Sequence, residues 1–330
     1  MQKITRDALI EKAVTLLGDG TVCAVLGWRA GEFSYDVTPA VFTDVKDIEK
    51  SFVWGDFCGA NFSKYLVAKT RKAEGKLLVF LKPCDTYSFN QLLTEHRFDR
   101  EKVYAVGIPC EGMVDIDKVK AAVGDGISRI DSTDDALLVH TIYSDAPVSV
   151  PTADVLAERC RNCKSRKHVA YDELLGDEGE VIDSARFGEV EAIERMTPDE
   201  RFAFWQSQLS RCIRCNACRD VCPACTCEKC VFDNPVSGVE NKAPTTSFEE
   251  QMFHIIRAFH VAGRCTDCGE CSRVCPQNIP LHLLNRKFIK DINSFYGDYQ
   301  AGETVGSRAP LVNYTTEDLE PSEVFERGNK

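Results

Sequence analysis

Two stretches, Cys212–Pro223 (CIRCNACRDVCP) and Cys265–Pro276 (CTDCGECSRVCP), decide how this chain reads. Each spells Cys-x2-Cys-x2-Cys-x3-Cys-Pro. Three thiolates two residues apart can curl around three irons of a cubane while loop N–H groups face its sulfides. The fourth cysteine, stiffened by its proline, ligates the other cluster of a pair. That rule assigns Cys212, Cys215, Cys218 and Cys275 to one 4Fe–4S cluster, and Cys265, Cys268, Cys271 and Cys222 to a second. Zinc also takes Cys-x2-Cys pairs, but a structural zinc site needs neither the third cysteine nor the Cys-Pro ending. Both occur twice here.

Working outward, the sequence between the two stretches predicts a helix. Ser247–Ala262 (SFEEQMFHIIRAFHVA) is amphipathic at helical period. A further helix is expected over Asp199–Ser210, and another from Ile279 onward with Leu283, Leu284, Phe288 and Ile289 on its apolar side. A whole helix between the motifs separates this pattern from compact β-type ferredoxins. From Asp199 to Tyr296 the chain resembles the mainly α-helical dicluster ferredoxin domain of respiratory iron–sulfur subunits and heterodisulfide reductase C-type subunits.

The N-terminal part reads as α/β. Thr21–Gly27, Lys76–Leu81, Val103–Ile108 and Ala136–Tyr143 are short apolar runs of strand length, and Asn61–Ala73 and Thr86–His96 have helical patterning. Lys76–Leu81 runs into Lys82-Pro83-Cys84-Asp85, and Val103–Ile108 into Pro109-Cys110-Glu111-Gly112. Proline ends a ladder, so both cysteines are expected in loops past strand ends, where open α/β sheets hold their ligands. Residues 144–159 read as a connection. The expected organisation is an α/β domain over 1–170 with a cluster site, an acidic linker or surface segment over 171–198, the dicluster domain over 199–300, and a tail over 301–330.

Seventeen cysteines leave nine outside the two motifs. Cys84, Cys110, Cys160 and Cys163 supply four ligands from two strand ends and one Cys-x2-Cys pair. The order Pro-Cys, Pro-Cys, Cys-x2-Cys resembles the catalytic domain of coenzyme F420-reducing hydrogenase and dehydrogenase beta subunits, and that resemblance implies a third 4Fe–4S cluster on these residues and a bound FAD. The bland reading makes Cys84 and Cys110 small buried hydrophobes and Cys160 with Cys163 a zinc half-site. Cys225, Cys227 and Cys230 form a Cys-x-Cys-x2-Cys run, expected to hold a fourth cluster or zinc with Cys58 as the distant ligand; reserve thiols beside the other clusters are the alternative. Cys23 is left as packing. His254 and His260 are expected as packing or surface residues because the cysteine set is complete, and His168 as a solvated one. Arg211, Arg214, Arg219, Arg264 and Arg273 would offset cluster charge.

Composition narrows the function. A formal charge of −11 argues against general nucleic-acid binding. No apolar run approaches the roughly 20 residues of a membrane span, and the charged amphipathic N-terminus is unlike a secretory leader; a reducing cytoplasm is expected. No dinucleotide fingerprint, Walker loop or nucleophilic triad is present. The expectation is an iron–sulfur electron-transfer subunit of a multi-subunit oxidoreductase. It would relay electrons between a dehydrogenase or hydrogenase partner and a heterodisulfide-reductase-like flavoprotein or ferredoxin. The alternative is an FAD-containing subunit of F420-reducing type that exchanges hydride with a deazaflavin or similar donor.

Overall fold

The computed structural model describes residues 2–182, 185–234, 236 and 247–312. It opens with α1 (Arg6–Gly18), β1 (Ala24–Ala30), β2 (Val37–Phe42), α2 (Val45–Ser51) and β3 (Phe52–Val53). There follow α3 (Ser63–Lys72), β4 (Leu77–Leu81), α4 (Pro83–Thr94) and β5 (Val103–Gly107). After α5 (Ile116–Val123) come the three strands β6 (Ile127–Ser132), β7 (Ala136–Thr141) and β8 (Ser144–Pro151), then the single turn α6 (Glu158–Arg161) and β9 (Glu173–Leu174). The remainder is helical: α7 (Gly188–Glu194), α8 (Pro198–Leu209), α9 (Ala217–Asp220), α10 (Ser247–Val261), α11 (Glu270–Arg273) and α12 (Leu281–Tyr296).

The main sheet runs β2-β1-β4-β5-β9, with β3 also paired to β1. β1, β4, β5 and β9 are parallel, and β2 and β3 lie antiparallel to β1. β4 is LLVFL, buried at all five positions, as a strand covered on both faces requires. Around it Trp28, Phe42, Phe52, Phe62 and Phe80 are fully buried, and Trp28 lies 4.4 Å from the Phe62 ring. The α/β architecture and the helical C-terminal part agree with the sequence reading.

Three local expectations need correction. Cys84 is not in a loop but in the first turn of α4, because Pro83 takes the first helical position, where its missing N–H costs nothing. Cys160 likewise lies in a helical turn. Residues 144–159 include β8, an edge strand of the antiparallel β6-β7-β8 sheet exposed at every position but Val150. His168 is buried, not solvated: its Nδ1 pairs with Glu178 at 2.8 Å, and its Nε2 lies 3.1 Å from the Ile108 carbonyl.

The acidic stretch 171–198 is folded where described. Its β9 extends the main sheet, and Val190 of α7 is buried. Past α12, Gly302 lies against α4 so closely that a Cβ there would fall 1.8 Å from the Tyr87 carbonyl oxygen. The expected tail beyond residue 312 lies outside the described residues.

The start of α4 is fixed by a buried ion pair. Lys82 Nζ is 2.8 Å from Asp85, both side chains 1 % exposed, and the same ammonium donates to the Ala60 carbonyl at 2.8 Å. Removing one partner strands the other charge. Asp85→Ala should therefore destabilise the protein by about 3–5 kcal/mol, read as a lowered urea midpoint under anaerobic conditions. A shift worth less than about 1 kcal/mol would mean that the pair is not holding this turn.

Candidate iron–sulfur centre

The two motif loops have the same backbone. In the first, Arg214 (φ 51°) and Asn216 (φ 62°) are left-handed; in the second, Asp267 (φ 58°) and Gly269 (φ 67°) occupy the equivalent positions. Left-handed residues are uncommon outside glycine. Two pairs at matching register show that both loops make the same turn, with a short helix, α9 or α11, carrying the third cysteine. Amide donors reach the sulfurs: Arg214 N–H donates to Cys212 Sγ at 3.4 Å, and Asn285 Nδ2 approaches Cys271 Sγ at 3.7 Å.

Cys212, Cys215, Cys218 and Cys275 line one hollow, bounded by Phe253, His254 and Pro276. That is the crossed grouping in which the first loop borrows the last cysteine of the second. Burial raises Cys265 to about 12, with Asp267 and Cys222 adding to the effect; Cys268 and Cys271 are raised by burial and by Cys222 and Cys265. Cys222 thus lies among the thiols of the second loop. Its own pKa is pulled down, first by a hydrogen bond from Cys225 and then by Arg257.

A second hollow is lined by Cys84, Cys110, Cys160 and Cys163, together with Cys268. The adjacent parallel strands β4 and β5 bring Cys84 and Cys110 to the same sheet edge. The pairing of Val114 with Leu156 folds the α6 segment back beside them, and Met113 N–H donates to Cys160 Sγ at 3.3 Å. Burial lifts Cys110 to about 12, reinforced by Cys160. Cys225, Cys227 and Cys230 line a separate, open cleft. Cys58 does not join them: it is 1 % exposed within the sheet core, packed with residues such as Trp54 and Phe62.

The charge around these thiols comes from residues that the sequence did not single out. Arg257, 4 % exposed, donates to the Cys218 carbonyl at 2.7 Å. Burial opposes its charge, and Cys222, Cys218, Cys225 and Cys271 hold it. Arg159 donates to the Cys268 carbonyl at 2.9 Å and pairs with the fully buried Glu270. Of the five expected arginines, Arg214 is buried and lies 4.0 Å over the Phe253 ring. Arg219 and Arg264 pair with Asp233 and Glu95, and Arg273 shares Glu270. His254 is 2 % exposed; burial and then Arg257 and Arg214 lower it to about 3, so its ring is neutral.

These surroundings fit an anionic cluster. Nε of Arg159, Arg214 and Arg257, and both ring nitrogens of His254, are buried without a protein hydrogen-bond partner. Buried donors seldom go unpaired, and cluster sulfides are acceptors of the right kind. Among the described residues no three Cys, His, Asp or Glu side chains converge as a single metal ion would need. The thiols surround hollows instead.

Residues 208–279 match the 4Fe-4S dicluster domain family. That match spans both cysteine motifs. Along most of its length it is also similar to two beta subunits. The F420-dependent formate dehydrogenase subunit beta of Methanocaldococcus jannaschii is 23 % identical over 83 % of this chain and 86 % of its own length. The F420-dependent formate dehydrogenase 1 subunit beta of Methanococcus maripaludis is 23 % identical over 89 % of this chain and 92 % of its own. A chain of the F420-reducing NiFe hydrogenase complex from Methanosarcina barkeri superposes at a TM-score of 0.38 with 16 % identity, covering 63 % and 86 % of the two chains; so loose an overlap decides nothing. The resemblance to F420-type beta subunits read from the cysteines is thus borne out. No described helix is long and apolar enough to cross a membrane.

Cys218→Ala should remove up to about four irons per chain and leave the cluster on Cys265, Cys268, Cys271 and Cys222 in place. Iron and acid-labile sulfide assays on anaerobic protein check this. Unchanged iron content would remove Cys218 from the ligand set.

Proposed function

We propose that this chain is the iron–sulfur electron-transfer subunit of a cytoplasmic multi-subunit oxidoreductase. It would relay single electrons between a formate dehydrogenase-, hydrogenase- or heterodisulfide reductase-like partner and a flavoprotein or ferredoxin. Cys212, Cys215, Cys218 and Cys275 hold one 4Fe–4S cluster, and Cys265, Cys268, Cys271 and Cys222 the next. Cys84, Cys110, Cys160 and Cys163 hold a third. When bound, these clusters supply one-electron chemistry; the chain's residues set the spacing and the local charge.

The observation that carries this reading is continuity. Cys268 of the second set also lines the hollow of the third. Cys271 of the second set and Cys218 of the first both act on Arg257. The first set reaches the surface, where Cys215 is exposed and Ile213 is 60 % exposed. A path therefore runs from the sheet edge, through the second set, to an exit at Ile213 and Cys215. The organisation into an α/β part over 1–170, a joining segment over 171–198 and a dicluster part over 199–300 suits this route, because the second set sits where the parts meet.

A buried guanidinium beside two clusters favours their reduced forms, since added negative charge is stabilised by a nearby cation. Arg257→Met should shift the midpoint potentials of both dicluster centres negative, measured by redox titration followed by electron paramagnetic resonance. Unmoved potentials would detach Arg257 from the path. The relay itself is tested in the assembled complex. Cys218→Ala should leave the dehydrogenase partner's reduction of an artificial dye intact and abolish delivery to the natural acceptor. Delivery at the wild-type rate would end the relay reading.

A further inference from the structure

With Cys58 drawn into the sheet core, Cys225, Cys227 and Cys230 are one ligand short. The cleft they line supplies a candidate that the sequence set aside: His260, at the end of α10, lines the same cleft. We propose that Cys225, Cys227, Cys230 and His260 form the ligand set of a fourth 4Fe–4S cluster, three thiolates and one imidazole. This goes beyond the relay reading and holds whether or not the third set binds iron.

Four features of the cleft support it. Its volume is about 300 Å³, larger than the hollow of either neighbouring set. Cys227 and His260 are exposed at its mouth, which leaves a side open for loading. Lys64 Nζ bonds the Cys225 carbonyl, and the buried Arg257 Nε, which has no protein partner, belongs to a residue that lines this cleft as well. A cubane carrying negative charge satisfies both cations. Zinc fits less well, because it draws four donors to within about 2.0–2.3 Å of one point, and these side chains do not converge in that way. A cubane spreads its ligands over four irons, as Cys212, Cys215, Cys218 and Cys275 are spread around their hollow.

The location gives the site a role. The Cys225 backbone N–H donates to the carbonyl of Cys222, a member of the second set, at 3.1 Å. The second set then adjoins three others: the sheet-edge set through Cys268, the first set across Arg257, and this one through the Cys222–Cys225 contact. The line of clusters becomes a fork with two surface exits, at Cys215 and at Cys227.

The test uses the full-length chain, purified anaerobically, with iron, acid-labile sulfide and zinc counted per chain. Cys227→Ser should lose about four irons while the signals of the other clusters persist. His260→Cys should keep the full iron content. It should lose a strong nitrogen coupling from a directly bound imidazole in pulsed electron paramagnetic resonance, and the affected centre should move to a lower potential, since a thiolate replaces a neutral ligand. Full iron retention in Cys227→Ser, or loss of one zinc with no iron, would overturn the proposal. So would a wild-type spectrum without a coordinated-histidine coupling, which decides the matter even if Cys227→Ser fails to fold.

Discussion

The buried thiols proposed as cluster ligands must give up their protons before iron can bind them. Cys84, Cys110, Cys163, Cys218, Cys265, Cys268 and Cys271 are all raised by burial, and most are raised further by other thiols nearby. Only the thiolate ligates metal, so iron has to displace protons, and the negative charge that results needs cations within reach. That requirement accounts for arginines in places where a hydrophobic core would exclude them. Arg159 sits between the sheet-edge thiols and the second motif loop, and Arg257 between the two motif loops. Glu270 and Asp267 keep the cations in place. Burial alone would raise both carboxyls, but Arg273 with Arg159 holds Glu270 at about 2, and Arg286 with Arg186 holds Asp267 at about 2.

This explains which features could be read from the sequence and which could not. β4 and β5 were legible to within a residue or two, because a continuous apolar run ended by proline has few other readings. Cys275 lines the hollow of the first motif, the placement that the ferredoxin spacing leads one to expect. β8 was not legible, since only Val150 of its eight residues is buried and no alternation marks it. Cys58 reads as a distant ligand in the sequence, and only tertiary packing buries it in the sheet core with residues such as Trp54 and Phe62. Arg257 read as one more polar position on an amphipathic helix. Its burial is imposed by thiols from two distant loops, and no local pattern records that. His168 was misread for a similar reason: Arg166 and Lys167 suggest solvent, yet two backbone carbonyls and Glu178 claim its ring.

α10 shows how one element serves both packing and electrostatics. Phe253, Arg257, Ala258 and Val261 are buried along one side, against α8 and α12. Phe253 and Arg257 hold the first set from the rear, and His260 reaches the open cleft one turn further on. The helix that separates this domain from compact ferredoxins is therefore part of the centre, supplying its middle cation and two of its wall residues.

The exchanged fourth thiolates bear on how the protein matures. Cys275 lines the hollow of the first loop and Cys222 lies near the thiols of the second, so on the proposed assignment neither cage closes until both loops have folded together. A nascent chain that ends before residue 275 can complete only one of the two. Stripping iron from either cage in the finished protein would loosen the other. Biogenesis would then close the cage that borrows Cys222 first and the one that waits for Cys275 last.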